Sequence, residues 1–102
     1  MYKLIVSELA HQDLDHIISY IAINLVNPIA ATNFLDEIEK CYARLKDNPF
    51  LYGKCYDLRL EMKEYRKAII KHYVLIYRVD EPEKTVKVLR FFYGAQDYAE
   101  LI

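Results

Sequence analysis

The first part of the chain combines a short apolar run with a long stretch of helical periodicity. Residues 2–6 favour extended backbone, and Ser7 follows them in the position of a helix N-cap. Beyond Ser7, apolar residues recur at steps of three and four while polar residues occupy the other side, as in an amphipathic helix. The apolar positions are Ala10, Leu14, Ile17, Ile18, Ile21 and Leu25. This pattern predicts a strand followed directly by a helix.

A second helix is predicted to start at Asn27-Pro28. Asn is a good N-cap, and Pro is tolerated at the first helical position. The apolar spacing then continues through Ala31, Phe34, Leu35, Ile38, Tyr42 and Leu45 until Asn48-Pro49 ends the helix. Two helices with so short a connection form an antiparallel hairpin. Residues 47–57 have turn formers and aromatics without a period, which predicts an ordered loop.

From residue 65 onward, β-branched and aromatic residues predominate. Residues 65–70, 73–79 and 84–93 are predicted strands, and Asp80-Glu81-Pro82-Glu83 is a turn signal between the last two. Short connections between consecutive strands indicate an antiparallel meander. Gly94 ends the last strand, and residues 95–102 are too few to assign. The predicted order is β-α-α-β-β-β, an α+β fold of two layers with the helix hairpin packed on a mainly antiparallel sheet.

The length and composition predict the number of domains, and the charge distribution bears on the kind of partner. The 102 residues, of which 54% are hydrophobic and 28% charged, predict a single globular domain covering residues 1–102. The net charge of −1 conceals an uneven distribution, because residues 54–78 contain seven Lys and Arg residues but only three acidic ones. Such a basic stretch attracts an anionic partner, although a solvated charged face explains it equally well.

Several functional classes are excluded by what the sequence lacks. Cys41 and Cys55 suggest neither a disulfide framework nor a zinc motif, so we expect reduced thiols. The apolar N-terminal run is far shorter than a signal peptide or a membrane span, which predicts a cytoplasmic protein without membrane contact. Nucleotide-binding, serine-hydrolase and zinc-protease motifs are absent, and we expect neither a cofactor nor a metal.

His72 is the histidine with a candidate chemical role. It lies at a predicted turn between Lys71 and Tyr73, and histidine can act as an acid or a base near neutral pH. A plain turn position is the commoner explanation for such a residue. His11 and His16 lie five residues apart on the first helix and do not share a ligand face, so both are expected at the surface.

The tyrosines of the predicted sheet divide into two groups. Tyr77 lies between apolar residues and is expected in the core. Tyr93 and Tyr98 flank Gly94 at the end of a strand, where a side chain is available to a partner.

The run YRKAIIKHYVLIYRVD at residues 65–80 resembles the strand pair of RelE/ParE toxins. The run VLRFFYGAQDY at residues 88–98 is similar to the last strand of that superfamily and its ending. With the opening strand, Ser7 and the helix hairpin, the resemblance covers nearly the whole chain and is closer to ParE-like members. It implies the toxin of a type II toxin–antitoxin pair. The implied cognate antitoxin lays an amphipathic segment across the hairpin or a sheet edge.

The superfamily has two activities on one fold. RelE-like members cleave messenger RNA in the ribosome with cationic groups that hold the phosphate, whereas ParE-like members poison DNA gyrase by contact. Arg66 matches one RelE-type cation in this comparison. Ala68, Val74 and Gln96 stand where further cations are expected, and none of them can supply a positive charge.

These departures favour a ParE-like toxin that is not itself an enzyme. Its expected target-binding residues are Arg66, Lys67, Lys71, Arg90, Tyr93, Gln96, Asp97 and Tyr98. One alternative is a ribosome-dependent mRNA endonuclease with a reduced active site of Arg66, His72 and Tyr98. Another is an interaction module that keeps the toxin fold but neither activity.

Overall fold

The computed structural model describes residues 1–55 and 57–102. Its elements are β1 (Lys3–Val6), α1 (Glu8–Ser19), a π-helical continuation (Tyr20–Asn24), α2 (Pro28–Asp47), α3 (Leu58–Glu61), β2 (Arg66–Ile70), β3 (Tyr73–Asp80), β4 (Thr85–Tyr93) and α4 (Tyr98–Leu101). The predicted α+β fold and its order of elements are confirmed. The two short helices α3 and α4 were not predicted.

The four strands form one sheet in the order β1-β4-β3-β2. The predicted meander is confirmed, since β2 pairs antiparallel with β3 and β3 antiparallel with β4. β1 pairs parallel with β4, from Lys3 opposite Thr85 to Val6 opposite Val88. The sheet is therefore mainly antiparallel, and its first and last strands in the sequence are neighbours.

Both predicted N-caps are present. The Ser7 hydroxyl accepts the backbone N–H of Ala10 at 3.0 Å and donates to the Leu89 carbonyl at 2.7 Å, so one side chain starts α1 and attaches it to β4. Asn27 Oδ1 accepts the Ala30 N–H at 3.0 Å at the start of α2, with Pro28 at the first position of the helix.

The tip of the helix hairpin departs from the predicted pattern. The wider π-helical turn after Ser19 changes the direction of the following side chains, and Leu25 is 56% exposed. The prediction that Leu25 continues the buried stripe is wrong, and Leu35 is also exposed. Val26 has a φ of 50°, which is uncommon for a β-branched residue. The tip thus presents apolar side chains to solvent.

The sheet is covered on both faces. The larger core cluster lies between the sheet and the hairpin and includes Phe34, Ile38, Leu45 and Tyr77. The smaller cluster lies on the other face and consists of Cys55, Leu60, Val74, Ile76 and Phe92. Because β3 contributes to both clusters, its apolar residues do not alternate with polar ones.

Tyr77 and the two cysteines behave as the sequence predicts. Tyr77 is fully buried, its hydroxyl donates to the Pro49 carbonyl at 2.7 Å, and burial raises its pKa. Cys41 and Cys55 are free thiols, and burial raises the pKa of both. These groups belong to the core.

Candidate functional site

A groove of about 360 Å³ lies where the β2–β3 turn meets the end of β4. Lys71 and His72 form that turn, and Lys71 has a φ of 57°. The Gly94 N–H donates to the His72 carbonyl at 2.8 Å, and a Cβ at Gly94 would lie 3.1 Å from that oxygen. Glycine therefore lets the end of β4 approach the turn closely. We call this site the turn groove; it is lined by Lys67, Ile69, Lys71, His72, Tyr73, Val74, Tyr93, Gly94, Ala95 and Tyr98.

The turn groove combines cationic and aromatic groups. Lys67 pairs with Ile76 and lies on the sheet face opposite the hairpin. Its ammonium donates to the Tyr98 hydroxyl at 3.4 Å, and the Tyr98 ring stacks on Phe92 with centroids 5.9 Å apart. Tyr93 is half exposed. Such a set of groups can bind carboxylates, phosphates or the polar rim of a protein surface.

Arg66 lies outside the turn groove. It pairs with Tyr77 near the opposite end of β2, and its Nη1 donates to the Tyr52 carbonyl at 2.8 Å. Its guanidinium lies over the Phe50 ring, 4.9 Å from the centroid. Arg66 and the pair of His72 and Tyr98 therefore line two different clefts.

Ala68 and Val74 are buried on opposite faces of the sheet. Ala68 packs beneath the hairpin, whereas Val74 belongs to the smaller cluster. Their positions contribute apolar packing where a nuclease of the RelE type would need cations.

Arg90 is held by the carboxylate of Asp13, a residue that no sequence pattern marks as functional. Its Nε and Nη2 donate to Asp13 at 2.7 and 3.1 Å, and the Phe91 backbone N–H donates to the same carboxylate at 3.0 Å. The hydrogen bonds that Arg90 donates to Asp13 raise the pKa of Arg90. β1 pairs with β4 only as far as Val88. Beyond that point the Asp13 carboxylate accepts from the Phe91 backbone N–H and so attaches α1 to β4.

The other predicted contacts shape the C-terminal tail. Gln96 Oε1 accepts the Tyr93 backbone N–H at 3.0 Å. Asp97 accepts from Arg59 Nη2 at 3.0 Å, and Arg59 also pairs with Asp57 at 2.7 Å. The Arg59 side chain and backbone N–H lower the pKa of Asp57 to about 2. Gln96 and Asp97 thus hold the segment that follows β4.

A second groove connects the turn groove to the hairpin tip. It has a volume of about 550 Å³ and is lined by Tyr20, Leu25, His72, Tyr73 and Tyr93. Tyr73 packs between Phe34 and Tyr93, with ring centroids 5.2 and 5.8 Å away, and burial raises its pKa. Cationic and apolar surfaces are therefore continuous around Tyr93.

Residues 1–55 and 57–102 contain no group of three or more His, Cys, Asp or Glu side chains that could hold a metal ion. Over the same residues, no helix has both the length and the apolar character needed to cross a membrane. His11 and His16 are exposed, as predicted.

Solved structures with this fold include chains of two toxin–antitoxin complexes. A chain of the chromosomal ParDE toxin–antitoxin system from P. aeruginosa superposes with a TM-score of 0.73 at 20% identity, covering 91% of this chain and 96% of that one. A chain of the RelBE2 toxin–antitoxin complex from Mycobacterium tuberculosis gives a TM-score of 0.61 at 25% identity, covering 90% and 96%. No curated protein sequence matches significantly. The profile of the ParE toxin of the type II toxin–antitoxin system parDE matches residues 4–98, and the chain therefore belongs to the ParE toxin family, within the superfamily that its strand motifs resemble.

Proposed function

We propose that this toxin stops growth by binding a macromolecular target such as DNA gyrase, without cutting RNA, and that a cognate antitoxin neutralises it. The observation that carries the proposal is the placement of the arginines. Arg66 is held by Tyr52 and Phe50 in another cleft, and Arg90 is held by Asp13. Neither lines the turn groove.

Phosphate chemistry places more demands on a site than binding does. An endonuclease must neutralise charge that develops on the scissile phosphate, and planar guanidinium groups do this with two directed hydrogen bonds. The turn groove offers Lys67 and Lys71, whose ammonium groups are flexible point charges. Such groups suit the attraction and docking of an anionic surface.

The proposed target contacts are Lys67, Lys71, Tyr93 and Tyr98. The lysines attract the partner, and exposed tyrosine at the rim is a common anchor of protein interfaces. Arg66 would contact a target only if the target also reached the separate cleft that Arg66 lines. Arg90, Gln96 and Asp97 act indirectly in this proposal, by fixing β4 and the tail.

The proposed antitoxin surface is the hairpin tip. Ile23, Leu25, Val26 and Ile29 are 73%, 56%, 81% and 74% exposed. A cluster of exposed apolar residues of this kind commonly marks a protein interaction site, and it fits the apolar face of an amphipathic segment. An antitoxin bound there would also reach Tyr93 through the connecting groove.

The first experiment follows the target after induced expression of the toxin without an antitoxin. Gyrase poisoning predicts cleaved DNA and an SOS response while mRNA stays intact. Replacing Lys67 and Lys71 together with Glu should abolish both effects by repelling the anionic surface, whereas His72→Ala should leave them nearly unchanged. Codon-phased mRNA cleavage without DNA damage would contradict the proposal.

A nuclease is the second candidate, because Lys67, Lys71, His72 and Tyr98 do line one groove. If His72 is an acid or base, His72→Ala lowers cleavage of ribosome-bound mRNA by about 100-fold. Tyr98→Phe should then also reduce cleavage while leaving the stacking on Phe92 intact. Expression that harms neither DNA nor mRNA and does not slow growth would favour the inactive interaction module.

The antitoxin surface is tested separately from the target. Ile29→Glu places a charge in the apolar tip, and we expect the variant to remain toxic while it no longer copurifies with the antitoxin encoded beside it. Leu58→Glu, at an exposed apolar position on α3, is the matched control. Equal loss of copurification in both variants would contradict the assignment to the tip.

A further inference from the structure

A second cleft of about 400 Å³ lies at the opposite end of β2 from the turn groove. The pairing of β2 with β3 ends at Arg66 and Tyr77, whereas β3 continues to Asp80. The sheet therefore has a step at this point. We call the site the step cleft; it is lined by Phe50, Lys54, Glu64, Arg66, Arg78, Val79, Asp80, Glu81 and Pro82.

Three cations and three carboxylates line the step cleft, but two of the carboxylates are paired with lysines outside it. Asp80 pairs with Lys87 at 3.8 Å and Glu81 with Lys84 at 3.2 Å, and neither lysine lines the cleft. Within the described part of the chain, the three cations Lys54, Arg66 and Arg78 form no ion pair, and Glu64 is the carboxylate that remains opposite them.

Arg66 is oriented in advance for a ligand. The Tyr52 carbonyl and the Phe50 ring hold its guanidinium, and the hydrogen bond to Tyr52 uses only Nη1. No other hydrogen bond of its Nε or Nη2 is present among the described residues. A guanidinium held in this way can bind a carboxylate through two parallel hydrogen bonds without losing much side-chain freedom.

The step also leaves strand backbone open. The Lys67 N–H points away from β3, to the Gly53 carbonyl at 3.3 Å, so its neighbour Arg66 and the opposite residue Tyr77 exchange the interstrand hydrogen bonds. Val79 lies two residues beyond Tyr77, so its backbone N–H and C=O point to the same side of β3 as those of Tyr77, towards β2. It pairs with Val86 of β4, and among the described residues nothing pairs with it on the β2 side.

We propose that the step cleft binds an extended acidic peptide segment of a partner protein. The segment pairs with β3 at Val79 and places a carboxylate beside Arg66, on the sheet face that Arg66 shares with Tyr77 and Val79. Strand addition at a free edge is a general mode of peptide recognition, and alternate side chains of the added strand provide its specificity. This inference does not depend on the proposed target or the proposed antitoxin surface.

The charge pattern favours a peptide over a nucleic acid. A polynucleotide carries a phosphate at every residue and would bring successive negative charges against Glu64, Asp80 and Glu81. An extended peptide with one acidic side chain at the cleft places its charge beside the cations and offers neutral backbone to the strand edge.

The test is a titration of the isotope-labelled full chain, followed by amide chemical shifts. The probe is an acetylated hexapeptide of alternating valine and glutamate, and the matched control peptide has glutamine for glutamate. We expect saturable shifts at Lys54, Arg66 and Val79 with the acidic peptide. Arg66→Gln should weaken its binding about tenfold through the lost charge-assisted hydrogen bonds, and Lys71→Gln, in the turn groove, should weaken it less than about twofold.

Four outcomes would overturn the proposal. The first is equal weakening by Arg66→Gln and Lys71→Gln, which indicates unspecific attraction, and the second is equal binding of the glutamine peptide. The third is the absence of saturable shifts at the step cleft. The fourth is tighter binding of a short oligothymidylate at the same amides, which would assign the cleft to nucleic acid.

Discussion

The turn groove and the edge of β4 with the tail beside it both contain cationic side chains, but the two places differ in whether a carboxylate pairs with the cation. Among the described residues, Lys67 and Lys71 in the groove have no carboxylate partner, and Lys67 reaches only the Tyr98 hydroxyl. Arg90, at the edge of β4, and Arg59, beside the tail, both hold carboxylates. These four cations are therefore of two kinds. Paired arginines stabilise the fold, and lysines without a carboxylate partner remain available for binding.

The paired arginines also differ from each other. The side chains of Arg90 and Asp13 are 24% and 16% exposed, and the Asp13 carboxylate also accepts a backbone N–H. The side chain of Arg59 is 47% exposed, and its partners are also accessible to solvent. A charge left without its partner costs far more at the first site, because water cannot replace the lost carboxylate as easily.

The largest effect is expected for Asp13→Ala. The substitution leaves the guanidinium of Arg90 and the Phe91 N–H without their acceptor in a partly buried place, and should lower the free energy of unfolding by about 3 kcal/mol. Urea denaturation followed by circular dichroism measures this loss.

Asp15→Ala is the matched control for this substitution. Asp15 is an exposed carboxylate on the same helix. Its removal should change the free energy of unfolding by less than about 0.5 kcal/mol. If the two variants were equally stable, Asp13 would not be the residue that holds α1 on β4.

A smaller effect is expected for Arg59→Gln. Exposed ion pairs contribute little individually, and we expect only a small loss of stability from the shared network, far below that of Asp13→Ala. The change should be local, with faster amide hydrogen exchange in residues 96–101. Unchanged exchange there would show that the contacts of Phe92 with Tyr98 fix the tail without Arg59.

The lysines of the turn groove should be almost neutral for stability. Lys67→Gln and Lys71→Gln remove no carboxylate partner, and each should change the free energy of unfolding by less than about 0.5 kcal/mol. Growth arrest should nevertheless weaken in the double variant, measured as colony counts after induction. A large loss of stability would mean that these lysines, like Arg90, belong to the fold.

The smallest effect concerns acid pH. Asp57 has a pKa of about 2 in the folded chain and an ordinary value of 3.8, so it binds its proton more readily when unfolded. Its contribution to stability is therefore present above about pH 4 and is lost as the pH falls towards 2. Thermal melts of Asp57→Asn should show a weaker pH dependence in that interval. Asp36→Asn, at an exposed carboxylate, should retain the dependence of the unsubstituted chain.

The sequence predicted those parts of the fold that depend on local pattern. Apolar spacing located the two main helices, Ser7 and Asn27 marked their starts, and Gly94 marked the end of β4. The turn at residues 80–83 separated β3 from β4. Each of these features is determined by a few neighbouring residues, which is why a single sequence is sufficient to find them.

Contacts between distant residues could not be predicted in this way. Asp13 and Arg90 are 77 positions apart, and nothing near either residue indicates the other. The π-helical turn that exposes Leu25 follows from packing of the hairpin, since the apolar spacing runs through it without a break. Arg66 lines a different cleft from His72 and Tyr98. This separation depends on the sheet face to which each side chain of β2 points and on the positions of two loops.

The parallel pairing of β1 with β4 also has a consequence for biosynthesis. Ser7 reaches the Leu89 carbonyl across 82 positions of sequence, so β1 has no strand to join until β4 has been translated and has left the ribosome. Contacts between such distant residues form late, and they lower the folding rate. A ribosome that stalls before β4 would release a fragment without the sheet neighbour of β1 and without the β4 wall of the turn groove. An incomplete copy of this kind would therefore have neither the complete sheet nor the complete turn groove.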